Sequence, residues 1–129
     1  AEWEYASRGG EHSPYYQYPW GSDSISYADA NYDYNNIGTT VDVGSYAANG
    51  YGLYDMAGNV YEWCNDWYDS SYYSNSPSTN PTGPASGSSR VIRGGSWNFS
   101  AIISRCASRY GYYPTYHYDG FGFRVLAVQ

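Results

Sequence analysis

The sequence predicts one mixed domain, low in helix and strand, in which a few short strands carry large ordered loops. Its 129 residues suffice for a single modest core. The chain is rich in aromatic residues and Gly and poor in long aliphatics, with Met56 its only Met. Disordered chains lack aromatics, so this composition belongs to a folded, loop-rich domain. Two long irregular stretches lie between the better strand candidates, and loops of that length in a compact domain are functional or held by ions.

The elements follow in chain order. "AEWEYASRGG" reads as a short helix stopped by Gly9-Gly10. From His12 to Asn49 the chain is mostly Gly, Ser, Asn, Asp and Tyr, and "GTTVDVGSY" is its best strand. "NGYGLYDMAGNVYEWCNDWY" is denser in large side chains, yet Val60, Trp63 and Trp67 fit neither the helical nor the alternating period. "SSYYSNSPSTNPTGPASGSS" is a loop, punctuated by Pro77, Pro81 and Pro84. "RVIRGGSW" and "GFRVLAV" are the strongest strands by β-branched and aromatic content. Between Gly94 and Val125, Tyr110, Tyr112, Tyr113, Tyr116 and Tyr118 crowd into a tract with no period at all.

The net charge of −6 argues against a nucleic-acid footprint or a polybasic membrane patch. No apolar run approaches the ~20 residues that cross a bilayer, so membrane insertion is not expected. No signal peptide is recognisable, and the chain starts at Ala1 inside a helix, as a piece of a longer protein would. Every basic residue is Arg: Arg8, Arg90, Arg93, Arg105, Arg109 and Arg124. A soluble surface usually carries Lys, so these guanidiniums are expected at fixed, multi-donor structural positions. The acids lie up to Asp69, with only Asp119 beyond; they form a solvated surface or offer oxygen ligands to a cation. Cys64 and Cys106 form no CxxC or Cys/His cluster, which excludes a zinc site. A Cys64–Cys106 disulfide and two buried free thiols both remain open. No G-x-S-x-G elbow and no phosphate loop occurs.

Four blocks in order, "AEWEYASRGG", "NGYGLYDMAGNVYEWCNDWY", "NPTGPASGSSRVIRGGSW" and "GFGFRV", resemble the formylglycine-generating-enzyme (sulfatase-modifying factor) family over nearly the whole chain. The resemblance implies an α+β fold, a variant of the C-type lectin fold low in regular secondary structure. It also implies one domain over residues 1–129, the C-terminal portion of a longer chain, because the family's Leu-Pro-Thr-Glu lead before "AEWEYA" is missing. The family's oxidases bind copper with two cysteines shortly after the Gly-Gly-Ser-aromatic motif. Those positions are Phe99 and Ser104 here, which offer copper no thiolate. Other superfamily members bind iron by histidine; His12 and His117 are far apart in loops, so no iron centre is expected.

The family's calcium sites do map. One would use the side chains of Asp55 and Glu62 and the carbonyls of Gly58 and Val60; a second would use Asn31 and Asn36 with the carbonyls of Tyr32 and Gly38. Hard oxygen donors with Gly in the turn suit a structural Ca²⁺. The alternative for Asp55 and Glu62 is turn capping or pairing with Arg.

The tract resembles the variable region of proteins diversified by retroelements on this fold, with a frame of Trp97, Asn98, Cys106, Pro114 and Gly122-Phe123-Arg124. Adenine mutation of an AAC codon yields Asn, Phe, Ser, Ile, Tyr, Gly, His or Asp. Residues Phe99, Ser100, Ile102, Ile103, Ser104, Tyr110, Tyr112, Tyr113, Tyr116, His117, Tyr118, Asp119 and Phe121 all belong to that set, as do Gly111 and Gly120. Together they form the candidate ligand-binding region within residues 97–124, with Trp97 and Phe123 expected in the core. Tyr supplies rigid contact area and a hydroxyl, as in antibody paratopes. Adjacent Ile102 and Ile103 cannot both be buried by a simple strand.

The expected function is therefore a non-catalytic ligand-binding domain, receptor- or adhesin-like. It would show this surface to a protein or glycan from a cell surface or phage particle, with room for a homo-oligomer. The alternative is a structural subunit of a surface layer or filament; an oxidase is the least favoured reading.

Overall fold

The computed structural model describes residues 1–10 and 13–126. His12, and the Ala127 and Val128 of "GFRVLAV", lie outside the described residues. Helix α1 (Glu2–Ser7) opens the chain. Gly9 (φ 60) and Gly10 (φ 87) end it through left-handed backbone, the stop that the sequence predicts. Gly9 is also fixed by a close approach. A Cβ on it would lie 2.6 Å from Gly50 N, and one on Gly50 would lie 2.6 Å from Gly9 O. Asn49 secures this contact. Its Nδ2 donates to the carbonyls of Ala6 (2.8 Å) and Ser7 (3.0 Å). Its Oδ1 accepts from the N–H groups of Tyr51 (3.0 Å) and Leu53 (3.1 Å). One amide thus satisfies carbonyls left over at the end of α1 and shapes its own loop.

Among the described residues the sheet contains β1 (Tyr61–Trp67), β2 (Arg90–Arg93), β3 (Tyr110–Tyr112) and β4 (Phe121–Gly122), in the order β3-β2-β1-β4. β2 runs antiparallel to β1 and β3, and β4 runs parallel to β1. The β1–β2 register shifts between Trp63 and Trp67. That bulge is why the large residues of this segment match no single period. The architecture is α+β with little regular structure, a small mixed sheet carrying long loops. Its core gathers Ile92, Val91, Tyr61, Met56, Trp97 and Cys106.

Two expected strands are corrected. "GTTVDVGSY" forms none, because side-chain amides take the place of a neighbouring strand. Asn59 Oδ1 accepts from Val41 N (3.0 Å), and Asn59 Nδ2 donates to Val41 O (3.2 Å). Asn31 Nδ2 donates to Thr39 O (2.9 Å). "GFRVLAV" pairs only at its start, as β4. Beyond Gly122 the chain is steered by Arg124, which reaches Glu62 and donates to Tyr54 O (3.0 Å). Phe123, expected in the core, is instead 76% exposed, with Val125 and Leu126 exposed beside it.

The six Arg residues hold the frame together. Arg8 donates to Tyr16 O (2.6 Å) and pairs with Glu4 (2.9 Å). Arg90 lies 3.5 Å from the Trp67 ring centroid and donates to Asn65 O. Arg93, buried, donates to Cys106 O (3.0 Å) and Ser108 O (3.4 Å) and meets Glu4 at 3.4 Å. Arg105 donates to Ile102 O (3.0 Å). Arg109 lies 4.3 Å from the Tyr73 ring and 4.9 Å from that of Tyr68. Each is committed to carbonyls, rings or carboxylates, the multi-donor use that distinguishes Arg from Lys.

Candidate functional site

The tract is built outward from Phe121. As a residue of β4 it pairs with Tyr61 of β1. Its ring sits 5.1–5.7 Å from those of Tyr61, Trp63, Tyr112, Tyr116 and Tyr118, mostly edge to face. That geometry suits the ring quadrupole. Tyr61 forms the floor beneath it, with Phe99 at 5.3 Å and Tyr110 at 6.3 Å. Burial pushes the Tyr61 phenol well above its ordinary range, and Tyr110 and Tyr112 nearby add to the effect. This floor stays neutral at every physiological pH.

On that floor stand the outer residues. Tyr112, Tyr116 and Tyr118 form a tilted row, with successive ring centroids 5.2 and 6.5 Å apart. Tyr110, Tyr113, Tyr116, Tyr118, His117 and Asp119 are exposed, as are Ser100 and Ile102; Phe99 and Ile103 are half-buried. Ser100–Ser104 is a bend closed by a short 3-10 turn at Ala101–Ser104.

Three positions of the proposed variable set belong to the frame instead. Ser104 is fully buried, and a Cβ on Gly95 would come within 2.4 Å of its Oγ. It faces the interior rather than a ligand. A Cβ on Gly111 would lie 2.5 Å from the Tyr68 ring, and one on Gly120 would lie 3.0 Å from both Ser96 Oγ and the Tyr118 ring. These glycines leave little room for a side chain. Phe121, too, serves the surface as its hub, half-buried, rather than as an outward contact.

A latch fixes one tip of the tract, joining Ser96, which lies outside the expected residues, to the frame residue Asn98 and to Tyr118 of the expected set. Buried Ser96 donates from Oγ to Asn98 Oδ1 (2.8 Å), and Asn98 Nδ2 donates to the Tyr118 hydroxyl. Nothing in the sequence marks this latch, since its Asn98–Tyr118 bond spans 20 positions across a stretch without period.

Neither cysteine is bonded. Cys64 and Cys106 are free thiols, so the unbonded alternative is the one realised. Burial pushes Cys64 up from an ordinary 9.0 to about 11. Burial raises Cys106 as well, although Ser7 Oγ donates to its sulfur at 3.2 Å. Both thiols are held protonated, the opposite of a reactive thiolate.

The two expected calcium sets differ in fit. Glu62 is engaged by Arg124 through both carboxylate oxygens and accepts from Trp3 Nε1 (2.6 Å), the arginine pairing named as the alternative. Asp55 Oδ2 accepts from Gly44 N (2.6 Å), while its Oδ1 is buried with no hydrogen-bond partner among the described residues. With a guanidinium on Glu62, this set does not fit a cation. The second set fits better. Asn31 Oδ1 is buried without a partner among the described residues, and the chain turns at Gly38 with φ 79; the unpartnered atom of Asn36 is its Nδ2, a donor that a cation does not satisfy. An unpaired buried oxygen is costly unless something satisfies it, and a hard cation at Asn31 would.

Known proteins share this frame. The solved structure "Treponema denticola variable protein 1" superposes with a TM-score of 0.76 at 34% identity, covering 95% of this chain and 43% of that one. The formylglycine-generating enzyme of Streptomyces coelicolor is 41% identical over 109 residues, 75% of this chain and 34% of the enzyme. The serine/threonine-protein kinase pkn1 of Chlamydia caviae is 47% identical over 126 residues, 96% of this chain. The chain thus spans only 34% and 19% of the length of these two relatives. The model of the sulfatase-modifying factor enzyme 1-like domain matches residues 1–128. With that model covering nearly the whole chain and these identities beside it, the chain belongs to the formylglycine-generating-enzyme family.

Proposed function

We propose that this chain is a non-catalytic ligand-binding domain that displays the aromatic tract to a protein or glycan ligand from a cell surface or particle. The observation that carries the reading is the contrast within the tract. A ring-on-ring hub and buried frame residues support exposed Tyr, Ile, His and Asp side chains that no fold requirement places there. Exposed aromatic and aliphatic groups on a rigid base are what interfaces use as anchors. The catalytic positions of the family's oxidases are occupied by a half-buried Phe99 and a buried Ser104, and neither supplies a soft copper ligand. Copper-dependent oxygen uptake with a cysteine peptide would overturn this part of the reading.

The tract is read as diversified by adenine mutation at its exposed positions. Sequencing the gene neighbourhood tests it: a near-identical repeat with adenine-only differences beside a reverse transcriptase is expected, and its absence removes the claim. Calcium belongs to the loop of Asn31 and Asn36, where it would act as a structural cross-link. A chelator should then lower the melting temperature, and an unchanged curve removes the ion. A structural subunit is the second reading. It is favoured by the exposed row of Phe123, Val125 and Leu126 beside β4, and its test is self-association reversed by charged substitutions in that row.

A further inference from the structure

The ligand surface does not end at the tract. Asp33 N donates to Phe99 O (2.9 Å), which pins the loop around residues 27–34 against the first residues of the tract. Beside this bond the Tyr34 ring lies 5.8 Å from that of Trp97, while Tyr34 itself stays 64% exposed. The Tyr27 ring lies tilted against that of Tyr32 at 5.1 Å, and its hydroxyl donates to Asp33 Oδ2 at 3.4 Å. Two links then lead to the tract. Asn98, next to Trp97, donates from Nδ2 to the Tyr118 hydroxyl, and Tyr118 lies on Phe121 beside Tyr116. Exposed tyrosines of a loop outside the proposed variable set and of the tract thus form one composite face.

The charges on this face have one dominant sign. Asp29 and Asp33 come from the loop, and Asp119 comes from the tract. Arg105, a guanidinium of the tract, is tied to Ile102 O. The other Arg residues are occupied on Glu4, Glu62, carbonyls and rings elsewhere. Tyrosine faces attract cations through the ring quadrupole, more strongly when the pair is desolvated. Carboxylates beside them add charge-assisted hydrogen bonds.

Building on the ligand-binding reading above, we infer that the face formed by Tyr27, Asp33, Tyr34, Tyr116, Tyr118 and Asp119 recognises a basic protein surface, one that presents Arg or Lys side chains. Asp29 and Asp33 already accept hydrogen bonds from Ser26, Asn35 and Tyr27 within the loop, so what a ligand can add is a counter-charge, which a neutral glycan lacks. A partner reaching both the loop and the tract would have protein dimensions, of the order of 800 Å² on each side. The loop residues contribute a constant cation-binding half, and the tract contributes the selective half.

The test is selection of a random phage-displayed peptide library on the folded domain, followed by rebinding to variants whose melting temperatures match the parent. The variants are Tyr116→Ala/Tyr118→Ala in the tract, and Tyr34→Ala and Asp33→Asn in the loop. Asn tolerates the left-handed backbone (φ 62) at position 33. The expected result is enrichment of Arg/Lys-bearing peptides that the tract variant no longer binds and that each loop variant binds about tenfold more weakly, the scale of a hot-spot truncation. Tract-dependent peptides that are not basic, or that the loop variants bind unchanged, overturn this inference and leave the ligand-binding reading standing. If no peptide depends on the tract, both fall.

Discussion

Where α1 meets β1 and β2, aromatic rings are held by guanidiniums. Arg90 covers Trp67, Arg109 lies against Tyr68 and Tyr73, and Arg93 sits 5.7 Å from Trp3. Along the tract, rings are held by other rings gathered on Phe121. The two regions draw on the same residue types and treat them in opposite ways. Arg90 and Arg93 bind carbonyls as well as rings, so a ring there cannot change without disturbing backbone bonds. A rim ring that leans on Phe121 can be exchanged for a different side chain at less cost to the frame than Phe121 itself. A protein that must keep its fold while changing its surface needs both arrangements.

The sharpest break of this contrast is Arg93→Ala. Removing a buried guanidinium that serves Cys106 O, Ser108 O and Glu4 should cost about 3–5 kcal/mol in urea unfolding. A loss below about 1 kcal/mol would mean that the frame does not rest on its arginines. Phe121→Ala should come next, at about 2–3 kcal/mol. Tyr113→Ala, on the rim, should stay within about 0.5 kcal/mol; similar costs for the two would erase the distinction between hub and rim.

Alkaline pH probes the frame from another direction. Cys64 is protonated in the fold up to about pH 11, against 9.0 ordinarily. The unfolded chain releases its proton first, so this contribution is fully present below pH 9 and is lost as pH rises from 9.0 to about 11. The loss is at most about 2–3 kcal/mol. Cys64→Ala should flatten that part of the pH–stability curve, and an unchanged slope would assign the loss to other groups. A smaller effect than that of Phe121→Ala is expected for Asn98→Ala, about 1 kcal/mol. It should be accompanied by faster amide exchange at residues 115–119, because the Tyr118 hydroxyl loses its donor. Unchanged exchange would show that the tip is held by ring packing alone.

Much of this was readable from residues. Gly9-Gly10 announced the end of α1, "RVIR" announced β2, and the absence of Lys announced arginines with fixed duties. The tract's lack of period was real information, since its side chains answer to a surface rather than to a strand or helix. What escaped were features made by single long-range amides. Val41 looks like a strand residue because its backbone is paired, but the partner is the Asn59 side chain. "GFRVLAV" has strand composition, yet only its Gly122 lies in β4 before the pull of Glu62 on Arg124 takes the chain off the sheet. Gly111 and Gly120 matched the variable set by residue type, and only the position of Tyr68 and Ser96 reveals that they are frame.

Asn49 carries a consequence of a different kind. It precedes Gly50, the pairing in which an asparagine side chain is most readily attacked by the next backbone nitrogen and hydrolysed to aspartate. Asparagine is for this reason a thermolabile residue. Here both ends of the amide are occupied by the carbonyls of Ala6 and Ser7 and the N–H groups of Tyr51 and Leu53, so the folded chain restrains the group it depends on. Once the loop opens, that restraint is gone. Aspartate at position 49 would turn a carboxylate toward two carbonyls and stop the loop from closing again. The domain therefore carries a chemical clock that runs only while it is unfolded.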